Sequence, residues 1–246
     1  MKVIPLVEGE FTIDQTKVFV PFNPAKDDLQ NRTKGSLLVD VQPFVIITDH
    51  DILLIDTGLG FKKDNELQIH ANLRVHGIGY SDITKVLMSH LHKDHAGGMT
   101  FKNPAGEYEL SFPNATYYIQ KQELEYAFQK GFPSYIPEEL NILKDNPQVM
   151  LLDGDGYIDN YIQYQVTGAH CPFHQVFWLR EDGETVFFGG DDAPQLSQMK
   201  KFYIAKYDYD GRKCMELRKL WWEQGQKEKW TFLFYHGISH PVFIAE

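Results

Sequence analysis

The chain has 246 residues, long enough to bury a sizeable core, and its 43% hydrophobic share excludes a disordered segment. Its 34 acidic and 24 basic residues leave a net charge of −10, which excludes an extended nucleic-acid footprint. No stretch approaches the roughly 20 apolar residues of a membrane span, and two cysteines, Cys171 and Cys214, are too few for a disulfide framework. Glu8 and Glu10 interrupt the N-terminal run before any signal core could form. A cytoplasmic protein folded as one domain over residues 1–246, with no membrane or nucleic-acid partner, is therefore expected.

In chain order, Phe44–Ile47 and Ile52–Ile55 read as strands around a hairpin turn at 48–51. Residues 64–75 have helical spacing, with Leu67, Ala71 and Val75 on one stripe. Lys85–Met88 reads as a buried strand, 116–119 as another, and 121–129 as a helix. Strands follow at 148–152, 161–167, 175–180 and 185–189. A helix carrying Met215, Leu217, Leu220, Trp221 and Trp222 then leads to a last strand at 231–235. Strands with helices in both halves suggest two sheets face to face with helices outside. Residues 21–36 and 130–147 lack a period and read as loops, either solvated or folded over a pocket. Phe22, Phe132 and Tyr135 within them are candidates for an apolar pocket wall or for ordinary packing.

The most informative segment is Ser89-His90-Leu91-His92-Lys93-Asp94-His95-Ala96-Gly97-Gly98, directly after the strand at 85–88. Side chains two apart in an extended chain point the same way, so His90 and His92 leave the strand end side by side. Asp94 and His95 follow where the chain turns. Imidazole nitrogens suit zinc and similar divalent ions, and a carboxylate adds a hard oxygen donor. Four such residues exceed what one ion takes from a single short segment, which predicts a site for two. Further ligand-type residues recur at predicted strand ends: His170, Cys171 and His174 after 161–167, Asp191 and Asp192 after 185–189, and His236 after 231–235. His240 is a weaker rival to His236.

With these residues in place, the chain resembles the metallo-β-lactamase superfamily. The signature is His90-Leu91-His92-Lys93-Asp94-His95, the later ligands occur in the order His170, Asp191, His236, and Asp56-Thr57-Gly58 matches the early motif. The resemblance implies a four-layer αββα sandwich with the metal site at one edge of the two sheets. It assigns His90, His92 and His170 to one ion, Asp94, His95 and His236 to the second, and Asp191 to both. Asp191, directly after Gly190, is preferred to Asp192 as the shared ligand. Asp56, His174 and Asp192 are candidates for holding the ligands from outside; Asp56 could equally cap the turn at Thr57-Gly58. The segment Gly168-Ala169-His170-Cys171-Pro172-Phe173-His174 departs from the family's pattern at Cys171 and Phe173. Cys171 reads as a small buried thiol before it reads as a soft ligand.

The resemblance further implies two divalent cations, zinc by default, with manganese, iron and cobalt also compatible. A hydroxide shared between the ions would be the nucleophile, with Asp94 orienting it and returning a proton. The segment 112–123 is similar to one common in the lactonase and methyl parathion hydrolase-like branch. Asp191-Asp192-Ala193-Pro194-Gln195-Leu196 lacks the Gly-Cys-Gly type of segment found in glyoxalase II relatives. Pro194 also occupies the place of a tyrosine that some acyl-homoserine lactonases use. The expected activity is cleavage of a lactone or carboxylic ester of a small molecule. Phosphotriester or phosphodiester hydrolysis on the same metal pair is the alternative, and a non-catalytic metal-binding member the third reading. The sequence fixes neither a monomer nor a homodimer.

Overall fold

A computed structural model describes residues 1–246. Two six-stranded sheets dominate it. The first runs in the order Lys2–Pro5, Phe44–Ile47, Ile52–Ile55, Lys85–Leu87, Thr116–Gln120, Val149–Leu152. The second runs Gly156–Ile158, Ile162–Val166, Gln175–Glu181, Glu184–Phe188, Thr231–Leu233, Val242–Ile244. Alternation along the strands sorts the side chains into three cores. Phe44, Ile46, Leu53 and Ile55 of the first sheet meet Phe177, Leu179, Val186, Phe188 and Leu233 of the second. Their neighbours Val45 and Leu54 turn the other way, onto Ile69 and Leu73 of the helix Gln68–Val75 and Leu124 and Ala127 of the helix Lys121–Lys130. Val176, Trp178, Phe187 and Phe232 turn onto Trp221 of the helix Gly211–Glu228.

This is the four-layer αββα sandwich, and it explains why the strands read as continuous apolar runs: they are covered on both faces. Each large apolar side chain so buried contributes about 1.5–3 kcal/mol. The helix Gly211–Glu228 is held by Asp210, whose side chain accepts from the Lys213 backbone N–H at 3.0 Å. Its buried stripe is Cys214, Arg218, Trp221 and Gly225. Gly225 leaves room for the Phe232 ring, which a Cβ there would meet at 2.1 Å.

Two expectations are corrected. The helix expected from 64 begins at Gln68, because Lys62–Lys63 and Glu66–Leu67 form a hairpin whose turn places Asp64 and Asn65 at φ 52° and 66°. Asp and Asn tolerate that left-handed region best among residues with a Cβ. Residues 130–147 are partly helical, at Pro137–Leu140 and Asn141–Leu143. A three-stranded sheet of Phe19–Pro21, Gly9–Ile13 and Leu37–Val41 adds to the elements expected from the sequence. No helix is long and apolar enough to cross a membrane.

Candidate metal centre

The sheet topology delivers the ligand-type residues to one edge. Ile52–Ile55 runs parallel to Lys85–Leu87, and Glu184–Phe188 runs parallel to Thr231–Leu233. Ile162–Val166 shares the direction of Glu184–Phe188, since each is antiparallel to Gln175–Glu181. Asp56, the histidine run, His170, Asp191 and His236 all follow the C-terminal ends of these strands.

Seven side chains converge there in two groups. His90, His92, His170 and Asp191 form one; Asp94, His95 and His236 form the other, with donor atoms in each group lying within 4.8 Å of one another. Asp191 faces both. Its Oδ2 lies 3.3 Å from His170 Nε2, while its Oδ1 lies 3.2 Å from both His95 Nε2 and His236 Nε2. His92 Nδ1 is 2.9 Å from His90 Nε2 and 3.2 Å from His170 Nε2. Asp94 Oδ2 completes the second group, 3.4 Å from His236 Nε2. Neither Cys171 nor His240 joins either group.

Four of the five rings are oriented from behind, which fixes the nitrogen that faces the centre. Asp56 Oδ2 accepts from His95 Nδ1 at 2.8 Å and from the Ser89 hydroxyl at 2.7 Å, and Oδ1 accepts from the Ser89 N–H at 2.8 Å. The Ser89 oxygen, its own proton turned to Asp56, accepts from His90 Nδ1 at 3.0 Å. His170 Nδ1 donates to Asp208 Oδ1 at 3.0 Å, and His236 Nδ1 donates to the Asp40 carbonyl at 2.6 Å. The Nε2 atoms of His90, His95, His170 and His236 are thereby turned inward. Of the alternatives for Asp56, its carboxylate takes the first: it holds His95 and Ser89 and accepts from no N–H of the Thr57-Gly58 turn.

Asp192 points away from the centre. Its Oδ1 accepts from the His170 N–H at 2.7 Å and its Oδ2 lies 3.1 Å from His174 Nδ1. His174 Nε2 in turn accepts from the Asp191 N–H at 3.1 Å. The pair thus steadies the backbone of one ligand and the turn that carries another. Arg218, fully buried, anchors the same turn by donating to the Asp192 carbonyl at 2.9 Å.

The electrostatics fit a pair of cations. Burial and the neighbouring imidazoles push His90 and His92 well below the ordinary histidine range, so both stay neutral, as metal-ligating imidazoles must. Burial opposes charge on His236, but Asp191 and Asp94 outweigh it and hold its pKa up at about 10. Asp94 is likewise brought down to about 2 by His95 and His236 despite its burial. Protons on the second group therefore stand where cations would neutralise the two carboxylates. His95 Nε2 and Asp191 Oδ1 are buried without a hydrogen-bond partner, which a shared cation would supply. The donor set, imidazole nitrogen with carboxylate oxygen, suits zinc and its neighbours.

Several contributors were not singled out in the sequence. Asp208 sits in an irregular segment with no motif, and the Asp40 carbonyl could belong to any residue. Glu123, fully buried on the helix Lys121–Lys130, accepts from the Leu91 N–H at 3.0 Å and the Tyr135 hydroxyl at 3.1 Å. Its other oxygen lies 3.6 Å from Cys171 Sγ, so it fastens both ligand loops. Cys171 is a buried thiol in this role, pushed well above the ordinary range by burial and by Glu123. Tyr135 packs its ring 4.9 Å from that of His92, so the 130–147 segment does reach the centre. Phe132 instead is 71% exposed, Phe22 packs under the Arg32 guanidinium in its own loop, and Phe173 packs against Tyr126.

Glu8 lies behind the Asp56-Thr57-Gly58 turn. Its Oε2 accepts from the Leu59 N–H at 2.7 Å, and Gly58, at φ 79°, leaves the space that its carboxyl fills. Burial, with some repulsion from Asp94, pushes Glu8 up to about 8 from 4.5. The folded chain keeps a proton that the unfolded chain releases above pH 4.5. This group's contribution to stability is thus complete below pH 4.5 and declines toward pH 8, by about 1.4 kcal/mol per pH unit. Glu8→Gln is expected to flatten the fall in thermal stability of the metal-free protein over that window. A variant with the parental slope would remove Glu8 as its source.

Residues 38–198 match the sequence profile described as Metallo-beta-lactamase superfamily. N-acyl homoserine lactonase AttM of Azorhizobium caulinodans is 32% identical over 117 residues, 45% of this chain. That stretch is only 41% of AttM's own length. N-acyl homoserine lactonase AiiA of Bacillus thuringiensis subsp. kurstaki is 24% identical over 228 residues, covering 84% of this chain and 85% of AiiA. Among solved structures, a probable metal-dependent hydrolase from Staphylococcus aureus superposes with a TM-score of 0.79 at 22% identity, covering 99% of this chain and 91% of the other. AidC, a dizinc quorum-quenching lactonase in complex with a product, superposes with a TM-score of 0.74 at 20% identity, covering 98% and 89%. These structural likenesses are likenesses of fold.

Proposed function

Because the chain belongs to the metallo-β-lactamase superfamily, we propose that it is a dinuclear metal-dependent hydrolase cleaving a lactone or carboxylic ester of a small molecule. The observation that carries this reading is the placement of Asp191, one carboxylate oxygen toward each ligand group. His90, His92 and His170 would hold one divalent cation, Asp94, His95 and His236 the other, and Asp191 both, zinc being the metal that suits the donors best. When bound, such a pair supplies an acidified water and a positive field for the charge that develops on the substrate oxygen.

The chain's own residues do the rest. Asp94, steadied by His236, presents a carboxylate able to orient the attacking water and to carry its proton toward the leaving oxygen. Asp56, Asp208 and the Asp40 carbonyl hold three of the rings so that no reorganisation is needed as charge develops. Six of the seven side chains are buried and His92 is half-buried, which keeps their electrostatics strong. The relatives named N-acyl homoserine lactonase support the lactone over other esters. Pro194 in place of a helper tyrosine leaves the acyl-homoserine lactones themselves one substrate class among several.

Zinc-reconstituted protein, assayed side by side on lactones, aryl esters and phosphotriesters, tests the reading. Turnover of a lactone or carboxylic ester with near two zinc ions per chain is expected. Preference for the phosphotriester would move the activity to phosphorus. Bound metal with no turnover on any panel would make the chain a binding member of its family.

A further inference from the structure

Of the five imidazoles at the centre, four have a partner on the nitrogen that faces away from it, and His92 is the exception. It is also the one ring that turns Nδ1 inward, 2.9 Å from His90 Nε2 and 3.2 Å from His170 Nε2. The ring is half-buried, and both of its hydrogen-bonding contacts are made by that inward nitrogen. A metal-ligating imidazole is ordinarily oriented by an acceptor on its outer nitrogen. The direction of the His92 ring must be set in another way.

The helix Lys121–Lys130 and the segment after it enclose this ring. The backbone is tied on both sides of His92: the Leu91 N–H donates to Glu123 Oε1 at 3.0 Å, and the Lys93 N–H donates to the Ser134 carbonyl at 2.9 Å. Against the ring so anchored lies Tyr135, with ring centroids 4.9 Å apart and planes at 58°. Tyr135 has little freedom of its own, being 1% exposed with its hydroxyl donating to Glu123 Oε1 at 3.1 Å. Its N–H donates to the Gly131 carbonyl at 3.1 Å, and the Tyr126 ring meets it edge-on at 6.0 Å. Glu123 Oε2 lies 3.6 Å from Sγ of Cys171, the residue after His170. Glu123 thus reaches the segments carrying His92 and His170, both of the first group. His95 and His236 of the second group are held from elsewhere, by Asp56 and the Asp40 carbonyl.

We infer that Tyr135, locked by Glu123, is the positioning residue for His92, setting by packing the ring direction that an outer partner sets for the other four. This rests on the two-cation reading above and divides it, because the support acts on one ligand group only. An outer acceptor both orients an imidazole and raises its basicity. A packed aromatic face does only the first. The hold of the first group on its cation therefore depends on the shape of the space beside His92, and a side chain that fills it differently loosens that cation alone.

Zinc titration of the full chain against a chromophoric chelator, followed in parallel by NMR of nitrogen-15-labelled histidine, tests this without a substrate. Tyr135→Leu is expected to weaken one of two zinc ions about tenfold or more, with the other held as in the parent. His92 is the one ring with Nδ1 inward, so the signal of an Nδ1-coordinated histidine should be the one that needs the extra zinc. Tyr135→Phe keeps the ring and should return both ions to within about threefold of the parent. If the leucine variant does not fold, Tyr135→Met gives the same reading, since its flexible chain fills the gap without a flat face. Both ions held at parental affinity in either variant would overturn the role of Tyr135. Equal weakening of both ions would overturn it too, because that marks a general loss of structure. A parent that binds fewer than two zinc ions would overturn this role together with the two-cation reading. Two ions in the parent without turnover of any ester would remove the hydrolase reading and leave this one standing.

Discussion

Asp191→Ala is expected to cost the protein its paired metal content and nearly all of its hydrolysis. Of the seven converging side chains, Asp94 and Asp191 alone are carboxylates, and Asp191 alone faces both groups. Without it, Asp94 would be the one carboxylate left in the donor set, and it belongs to the second group alone. His95 Nε2 and His236 Nε2 would also lose their nearest oxygen, 3.2 Å away in each case. Loss of an outer partner of a metal ligand costs about 10–100-fold; loss of the shared ligand should exceed that, at about a thousandfold or more in kcat/KM. Elemental analysis after zinc loading should give clearly fewer than two ions per chain. Two ions retained, with turnover within tenfold of the parent, would refute the assignment of Asp191 as the shared ligand.

Asp56→Ala should have the largest effect on stability among the residues that do not face the centre. The carboxylate is fully buried and accepts three hydrogen bonds, from the Ser89 N–H, the Ser89 hydroxyl and His95 Nδ1. Removing it leaves buried donors without acceptors, each costing about 1–3 kcal/mol. Alanine at φ 54° adds about 1 kcal/mol or more of backbone strain, which aspartate and asparagine bear better. A loss of about 3–5 kcal/mol in denaturant unfolding is expected, with Asp56→Asn losing less because it keeps an acceptor and the backbone preference. A zinc ion offered to the second group, Asp94, His95 and His236, should also bind about 10–100-fold more weakly, since His95 loses its orienting partner. An alanine variant within about 1 kcal/mol of the parent would show that the network relaxes around the gap.

The converging side chains were visible in the sequence because each is a ligand-type residue at the end of an apolar strand. Strand direction alone carries such ends to one edge. The two sheets were visible in the same strands: Phe44–Ile47, Ile52–Ile55 and Val176–Leu179 are apolar on successive residues, as strands covered on both faces must be. What stayed hidden has no period. Asp208 reaches His170 from irregular chain, the Asp40 carbonyl is backbone, and Glu8 and Glu123 look like surface acids until the fold buries them.

The bonds around the centre also say when it forms. The Tyr235 hydroxyl reaches the Asp94 carbonyl across 141 positions, and His236 reaches Asp40 across 196. Closing such distances requires the long connections to be organised first, and contacts of this span come slowly. The hairpin Phe44–Ile55 and the helix Gly211–Glu228 can form from neighbours in sequence, whereas the second ligand group waits for the two sheets to dock. Metal capture would therefore belong to the end of folding. A cation that binds only the docked sheets would act as a clasp on the seam between them, slowing their separation more than it speeds their meeting.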